Sequence, residues 1–212
     1  VFNTSLMGYH EILTDPSYFQ QIIVMTTPEQ GNYGFARDER ESSEIYAEGF
    51  VCVELNTMDG GRKAIRGDLK SELHEFSRPA LSGIDTRSLT LHLRSQGTPW
   101  GALVMAANEK EAIARAQSAI AERRKSLDPD WVYAVSTKKH QEFKGQKQKG
   151  RVVVVDYGSK NNIIHELQKR FHEVVLVNSR ATAKEILSLE PDGIMLTNGP
   201  GDPSLVKGSV ET

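Results

Sequence analysis

Residues 152–155, "VVVV", form an unbroken apolar, β-branched run, as a strand buried on both faces requires. Past the turn "DYGSK", Ile163, Ile164, Leu167 and Phe171 recur at helical spacing. "EVVLVN" at 173–178 predicts a second buried strand. "TAKEILSLEP" predicts a short helix stopped by Pro191, and "GIMLTN" at 193–198 a third strand. Strand–helix–strand–helix–strand implies parallel strands joined by right-handed crossovers, the first half of a doubly wound α/β domain. Three strands make a thin sheet, so more chain is expected beyond Thr212.

Ahead of this region the pattern is mixed. "QIIVMTT" at 21–27 and "EGFVCVEL" at 48–55 predict strands, as does "WGALVM" at 100–105. "IDTRSLTLHLRSQG" at 84–97 predicts a helix with Asp85 as N-cap and Gly97 as its stop. Leu89 and Leu93, four apart, share one face, and Leu91 points away from it. Asn108 with Glu111 is a variant capping box. The helix it opens places Ile113, Ala116 and Ile120 on one face and ends before "DPD". Strands early and helices later predict a compact α+β domain. Between the two patterns, "KKHQEFKGQKQKG" at 138–150 is polar, basic and nearly free of apolar residues, and reads as a weakly ordered linker. The expected division is residues 1–137, a linker at 138–149, and the incomplete α/β domain at 150–212.

Composition narrows the function classes. The 212 residues are 38% hydrophobic, enough for one sizeable core or two modest ones. Lys and Arg number 26 against 28 Asp and Glu, for a net charge of −2. That balance gives no bulk footprint for nucleic acid or a membrane surface. No apolar run approaches the roughly 20 residues of a membrane span, and no signal-peptide pattern opens the sequence. The one cysteine, Cys52, cannot form an internal disulfide, so a reducing, cytoplasmic setting is expected. The opening at Val1 without Met, and the close soon after "LTNGPGDP", lead us to expect a piece of a longer chain.

Little of the sequence carries chemistry on its own. "LTNGPGDP", 196–203, follows the third strand, and ligands of open α/β sheets bind outside the carboxyl ends of the strands. Gly199 and Gly201 let backbone approach a ligand, and Pro200 stiffens the loop between them. Such a loop can hold an N–H toward a developing oxyanion. The same spacing serves a plain strand-to-loop turn equally well. "VVVVDYGSK" has neither G-x-G-x-x-G nor G-x-x-x-x-G-K-[ST], and Asp156 there reads as a cap or brace for the next helix. Cys52, between Val51 and Val53, reads as a small buried hydrophobe rather than a nucleophile. The six histidines show no zinc-ligand spacing. Ser5 has no neighbouring His or Asp, and its local pattern favours a strand-to-helix cap or ST-turn.

Taken together, "VFNTSLMGYHEILTDPSY", "GNYG", "GIDTRSLT", "VVVVDYGSKNNI" and "PDGIMLTNGPGDPS" occur in an order and spacing that resembles the small, glutamine-hydrolysing subunit family of carbamoyl phosphate synthetase. "NGPGDP" is shared among several class I glutamine amidotransferases, while the first motif with "GIDTR" is similar to this family in particular. The resemblance implies a family-specific N-terminal domain, then a flavodoxin-like glutaminase domain with a Cys–His–Glu site. It implies that Ser5 contacts glutamine across the domain interface, and that Gly199 and Gly201 bind glutamine, Gly199 supplying an oxyanion-hole N–H. It implies a large partner subunit that carries the ATP and Mg chemistry, with no cofactor in this subunit, and a place in arginine and pyrimidine synthesis. The family's nucleophilic Cys lies on a later G-x-C-x-G-like elbow, so the catalytic Cys, His and Glu are expected beyond Thr212, and the 212 residues alone are expected to be inactive. Leu6, Met7 and His10 depart from the family pattern beside Ser5. The alternative is a non-catalytic docking module for a large synthetase subunit.

Overall fold

The computed structural model describes residues 1–57 and 66–206; residues 207–212, the end of the second expected domain, lie outside that range. The chain divides into two units, Val1–Thr14 with Gln20–Leu127, and Asp15–Phe19 with Asp128–Thr212. The second unit thus takes five residues from near the start of the sequence.

The first unit contains β1 (Phe2–Asn3), α1 (Tyr9–Thr14), β2 (Ile22–Met25), β3 (Glu29–Gln30), β4 (Phe35–Ala36), β5 (Gly49–Val51), β6 (Glu54–Leu55), β7 (Arg66–Gly67), α2 (Leu69–Glu75), β8 (Ala80–Leu81), α3 (Thr86–Gln96) and α4 (Glu109–Ser126). Strands β1, β2, β5 and β8 form one parallel sheet in that order. The predicted strand at 48–55 is split: β5 pairs in this sheet, and β6 pairs with β3 in a separate two-stranded one. Helix α1 buries Tyr9, His10, Ile12 and Leu13. His10 stacks edge-on against Tyr9, Tyr33 and Phe35. Its Nε2 donates to the Gly34 carbonyl at 3.1 Å.

Helix α3 is capped as its sequence predicts. The Asp85 carboxylate accepts from the Ser88 N–H at 2.9 Å, and Gly97 leaves the helix at φ 78°. Leu91 is exposed while Leu89 and Leu93 are half-buried. The Ser88 N–H holds the Asp85 carboxyl below its usual range. In α4 the Asn108 side chain accepts from the Glu111 N–H, and the Glu111 carboxylate reaches one residue further back, to the Ala107 N–H. Ala116 and Ile120 of the expected α4 face are half-buried and Ile113 is exposed, so that face is only partly covered. Residues 100–105 join no ladder either. Leu103 instead lies over Gly49 and Gly101 over Ile22, so the segment covers the sheet from above.

The second unit contains α5 (Trp131–Val135), β9 (Gln141–Lys144), β10 (Arg151–Asp156), α6 (Asn161–Gln168), β11 (Glu173–Asn178), α7 (Ala183–Ser188) and β12 (Gly193–Leu196). Its sheet runs β12-β10-β11-β9. The three strands expected from sequence are parallel, with β10 between the other two. That is the 2-1-3 order of a flavodoxin-like sheet. One face packs Val153, Val155, Val175 and Val177 under Ile186 of α7. The other packs Val152, Val154, Val174 and Leu176 under Ile164, Leu167 and Phe171. Both faces are covered, which is why the strands read as continuous apolar runs.

The linker reading of 138–149 needs correction. Residues 141–144 are β9, an antiparallel strand on the outer edge of β11, with Phe143 opposite Val174. Phe143 packs into the α6 face of the core. Beyond the strand, the Gly145 and Gln146 N–H groups donate to the His172 and Gln168 carbonyls. Ladder hydrogen bonds and one half-buried ring thus outweigh a polar composition, and Lys144 on an edge strand also discourages further pairing.

Candidate functional site

The loop at residues 197–203 leaves the carboxyl end of β12, beside the carboxyl end of β10 and its turn into α6. Asp156 organises that turn. Its Oδ1 accepts from the N–H groups of Gly158 (3.0 Å) and Ser159 (2.7 Å). Its Oδ2 accepts from the Thr137 N–H at 2.7 Å. The carboxylate is buried, so these donors replace the water it has lost.

Thr197 links the two loops. Its hydroxyl accepts from the Tyr157 N–H at 2.9 Å and donates to the Asn198 carbonyl at 2.9 Å. Gly199 then passes so close to Tyr157 that a methyl group would run into the Tyr157 carbonyl oxygen. Its lack of a side chain is required by this backbone crossing. Gly201 has φ 84° and lies against the Trp131 ring. Buried Pro200 stiffens the span between them. The Asp202 carboxylate accepts from the Ser204 N–H at 2.9 Å, which holds its pKa below the usual value.

The five residues contributed from the start of the chain complete this rim. Asp15 caps the turn Pro16–Tyr18 by accepting from the Ser17 N–H at 2.8 Å. Its other oxygen lies 2.8 Å from the Lys160 ammonium. The Asn198 amide donates to the Ser17 hydroxyl at 2.6 Å, across 181 positions of sequence. Pro16 packs over Gly158, whose φ of 130° only glycine tolerates readily. The sequence marked "DP" as a turn but gave no sign of its partner. Thr197, Asn198, Ser17 and Trp131 were all missed, because each acts through a residue far away in the chain.

Gly199 and Gly201 stand together in this loop. Ser5 belongs to the first unit, where it is exposed between β1 and α1. Its N–H donates to the Asn3 side chain at 2.8 Å, and its carbonyl accepts from the Thr27 hydroxyl at 2.7 Å. The turn is therefore built by Asn3 and not by the Ser5 hydroxyl. Cys52 is fully buried, and burial pushes its thiol up to about 11. At neutral pH it is a protonated thiol, unsuited to nucleophilic attack.

A parallel 2-1-3 sheet with a glycine loop at the carboxyl end of its third strand is a flavodoxin-like arrangement, with the loop where such sheets bind ligands. Residues 153–212 match the family model for class I glutamine amidotransferase. Residues 1–103 match that for the carbamoyl-phosphate synthase small chain, CPSase domain. Across its whole length the chain is similar to carbamoyl phosphate synthase small chains: 42% identical to that of Fusobacterium nucleatum and 40% to that of Chlorobaculum tepidum. It is 39% identical to the pyrimidine-specific small chain of Bacillus subtilis. It spans 57%, 57% and 56% of those proteins. What the comparisons show is similarity to carbamoyl phosphate synthase small chains along all 212 residues.

Proposed function

We propose that this chain contributes the glutamine-binding part of a glutaminase that feeds ammonia to a large synthetase subunit. The observation that carries the reading is the Asn198–Gly201 loop, braced at the carboxyl ends of parallel strands within a chain that matches small chains from end to end. In the reaction a cysteine thiolate attacks the glutamine amide carbon, and the carbonyl oxygen becomes an oxyanion. Ammonia leaves, and water then hydrolyses the thioester to glutamate. The Gly199 N–H stabilises the oxyanion, Gly201 lets backbone come close to the substrate, and the Ser5 hydroxyl bonds glutamine. The attacking thiol and its His and Glu are expected outside these 212 residues, since Cys52 is buried and protonated. ATP and Mg belong to the large partner. The product is carbamoyl phosphate for arginine and pyrimidine synthesis, in the cytoplasm. Among the described residues, no helix is long and apolar enough to cross a membrane.

The test is glutamate release from L-glutamine by the full-length protein. Ser5→Ala removes one substrate hydrogen bond of about 0.5–1.5 kcal/mol, so KM rises roughly two- to twelvefold. Absence of glutamate production contradicts the glutaminase reading and leaves a docking module. Unchanged kinetics for Ser5→Ala remove Ser5 from the site.

A further inference from the structure

We propose that Thr197 is a positioning residue whose hydroxyl sets the direction of the Gly199 N–H; the inference rests on the oxyanion role given to that N–H above. The Asn198 carbonyl and the Gly199 N–H belong to one planar peptide unit, and the chain has no cis peptide bonds among its described residues. The two groups therefore point in opposite directions. Thr197 Oγ1 donates to the carbonyl end of this unit at 2.9 Å, and the N–H end is turned away from the hydroxyl. Among the described residues, the Gly199 N–H donates to no acceptor, so its hydrogen-bonding capacity is left for something else.

This peptide is the weak point of an otherwise braced loop. Pro200 is buried and fixed in φ, Gly201 rests on Trp131, and the Asn198 side chain is tied to Ser17. Rotation of the 198–199 peptide turns on the φ of a glycine, where steric barriers are low. Sterics alone leave two peptide orientations open, one with N–H presented and one with C=O presented. The Thr197 hydroxyl favours the first, because it is itself oriented. The Tyr157 N–H occupies one of its acceptor positions, which leaves its single hydrogen free for Asn198. A carbonyl presented where an oxyanion forms would repel it, so the hydroxyl acts on catalysis without touching substrate.

The experiment uses the full-length protein with its large-subunit partner and measures glutamate release from L-glutamine. Thr197→Val keeps the shape and removes both hydrogen bonds; kcat falls by up to roughly a hundred- to a thousandfold, the range for losing one oxyanion donor, with KM within about threefold. Thr197→Ser restores the hydroxyl and returns kcat to within about threefold of the parent. Co-elution of each variant with the large subunit on gel filtration reports that the variants are assembled. A Thr197→Val enzyme with the parent's kcat overturns the proposal, and so does a loss that Thr197→Ser fails to restore. Should Thr197→Val not assemble, Thr197→Ala is measured instead, and a full kcat there overturns it equally. A parent protein that releases no glutamate defeats the glutaminase reading, and this inference falls with it. An active parent with an unaffected valine variant defeats this inference alone.

Discussion

Gly199 and Cys52 are decided by their surroundings. Gly199 is a glycine because the loop crosses the Tyr157 carbonyl too closely for any side chain. From spacing alone its role stayed open between ligand loop and plain turn, since the reason lies 42 positions earlier, at Tyr157. Cys52 was legible as a buried hydrophobe because its neighbours alternate across a strand-like run. Its thiol, moved by burial from 9.0 to about 11, makes a testable statement. The folded state keeps its proton where the unfolded chain has lost it, so stability is present below pH 9 and is lost as pH rises toward 11. In the native protein at pH 8, thiol reagents leave Cys52 unmodified, and peptide mapping after alkylation checks this. Rapid labelling of Cys52 without unfolding would contradict the burial argument.

Among the elements, the β10–α6–β11–α7–β12 succession was readable because both faces of the sheet are covered, giving apolar runs and helical spacing with little ambiguity. Ile164 is the buried anchor of α6 on this sheet. Ile164→Ala destabilises the second unit by about 2–5 kcal/mol, through lost burial and a residual cavity. Urea unfolding monitored in that unit measures it, and a loss below about 1 kcal/mol would show that α6 is not so anchored. The α3 cap was equally plain, because its signals are local. The errors fell where long-range pairing overrides local pattern. β9 looks like linker until the edge of β11 is placed beside it. Residues 100–105 look like a strand yet lie over a sheet. On α4 the expected face is only partly covered, with Ala116 and Ile120 half-buried and Ile113 exposed.

For the molecule as a whole, the unexpected feature is the use of Asp15–Phe19 as part of the second unit. Asp15 pairs with Lys160, and Ser17 receives the Asn198 amide, so residues from the first tenth of the chain brace a loop near its end. No periodicity announces this, because the segment is a turn whose partners are separated by most of the sequence. The resemblance was legible in the motifs, and the similarity of all 212 residues to carbamoyl phosphate synthase small chains agrees with it. The central claim is that the protein delivers the amide nitrogen of glutamine to carbamoyl phosphate. The most direct measurement supplies amide-15N glutamine, bicarbonate and ATP to the full-length protein with its large subunit. The account predicts 15N in carbamoyl phosphate and one glutamate released per label transferred. A complex that makes carbamoyl phosphate from free ammonia, yet neither releases glutamate nor incorporates 15N from glutamine, would contradict it.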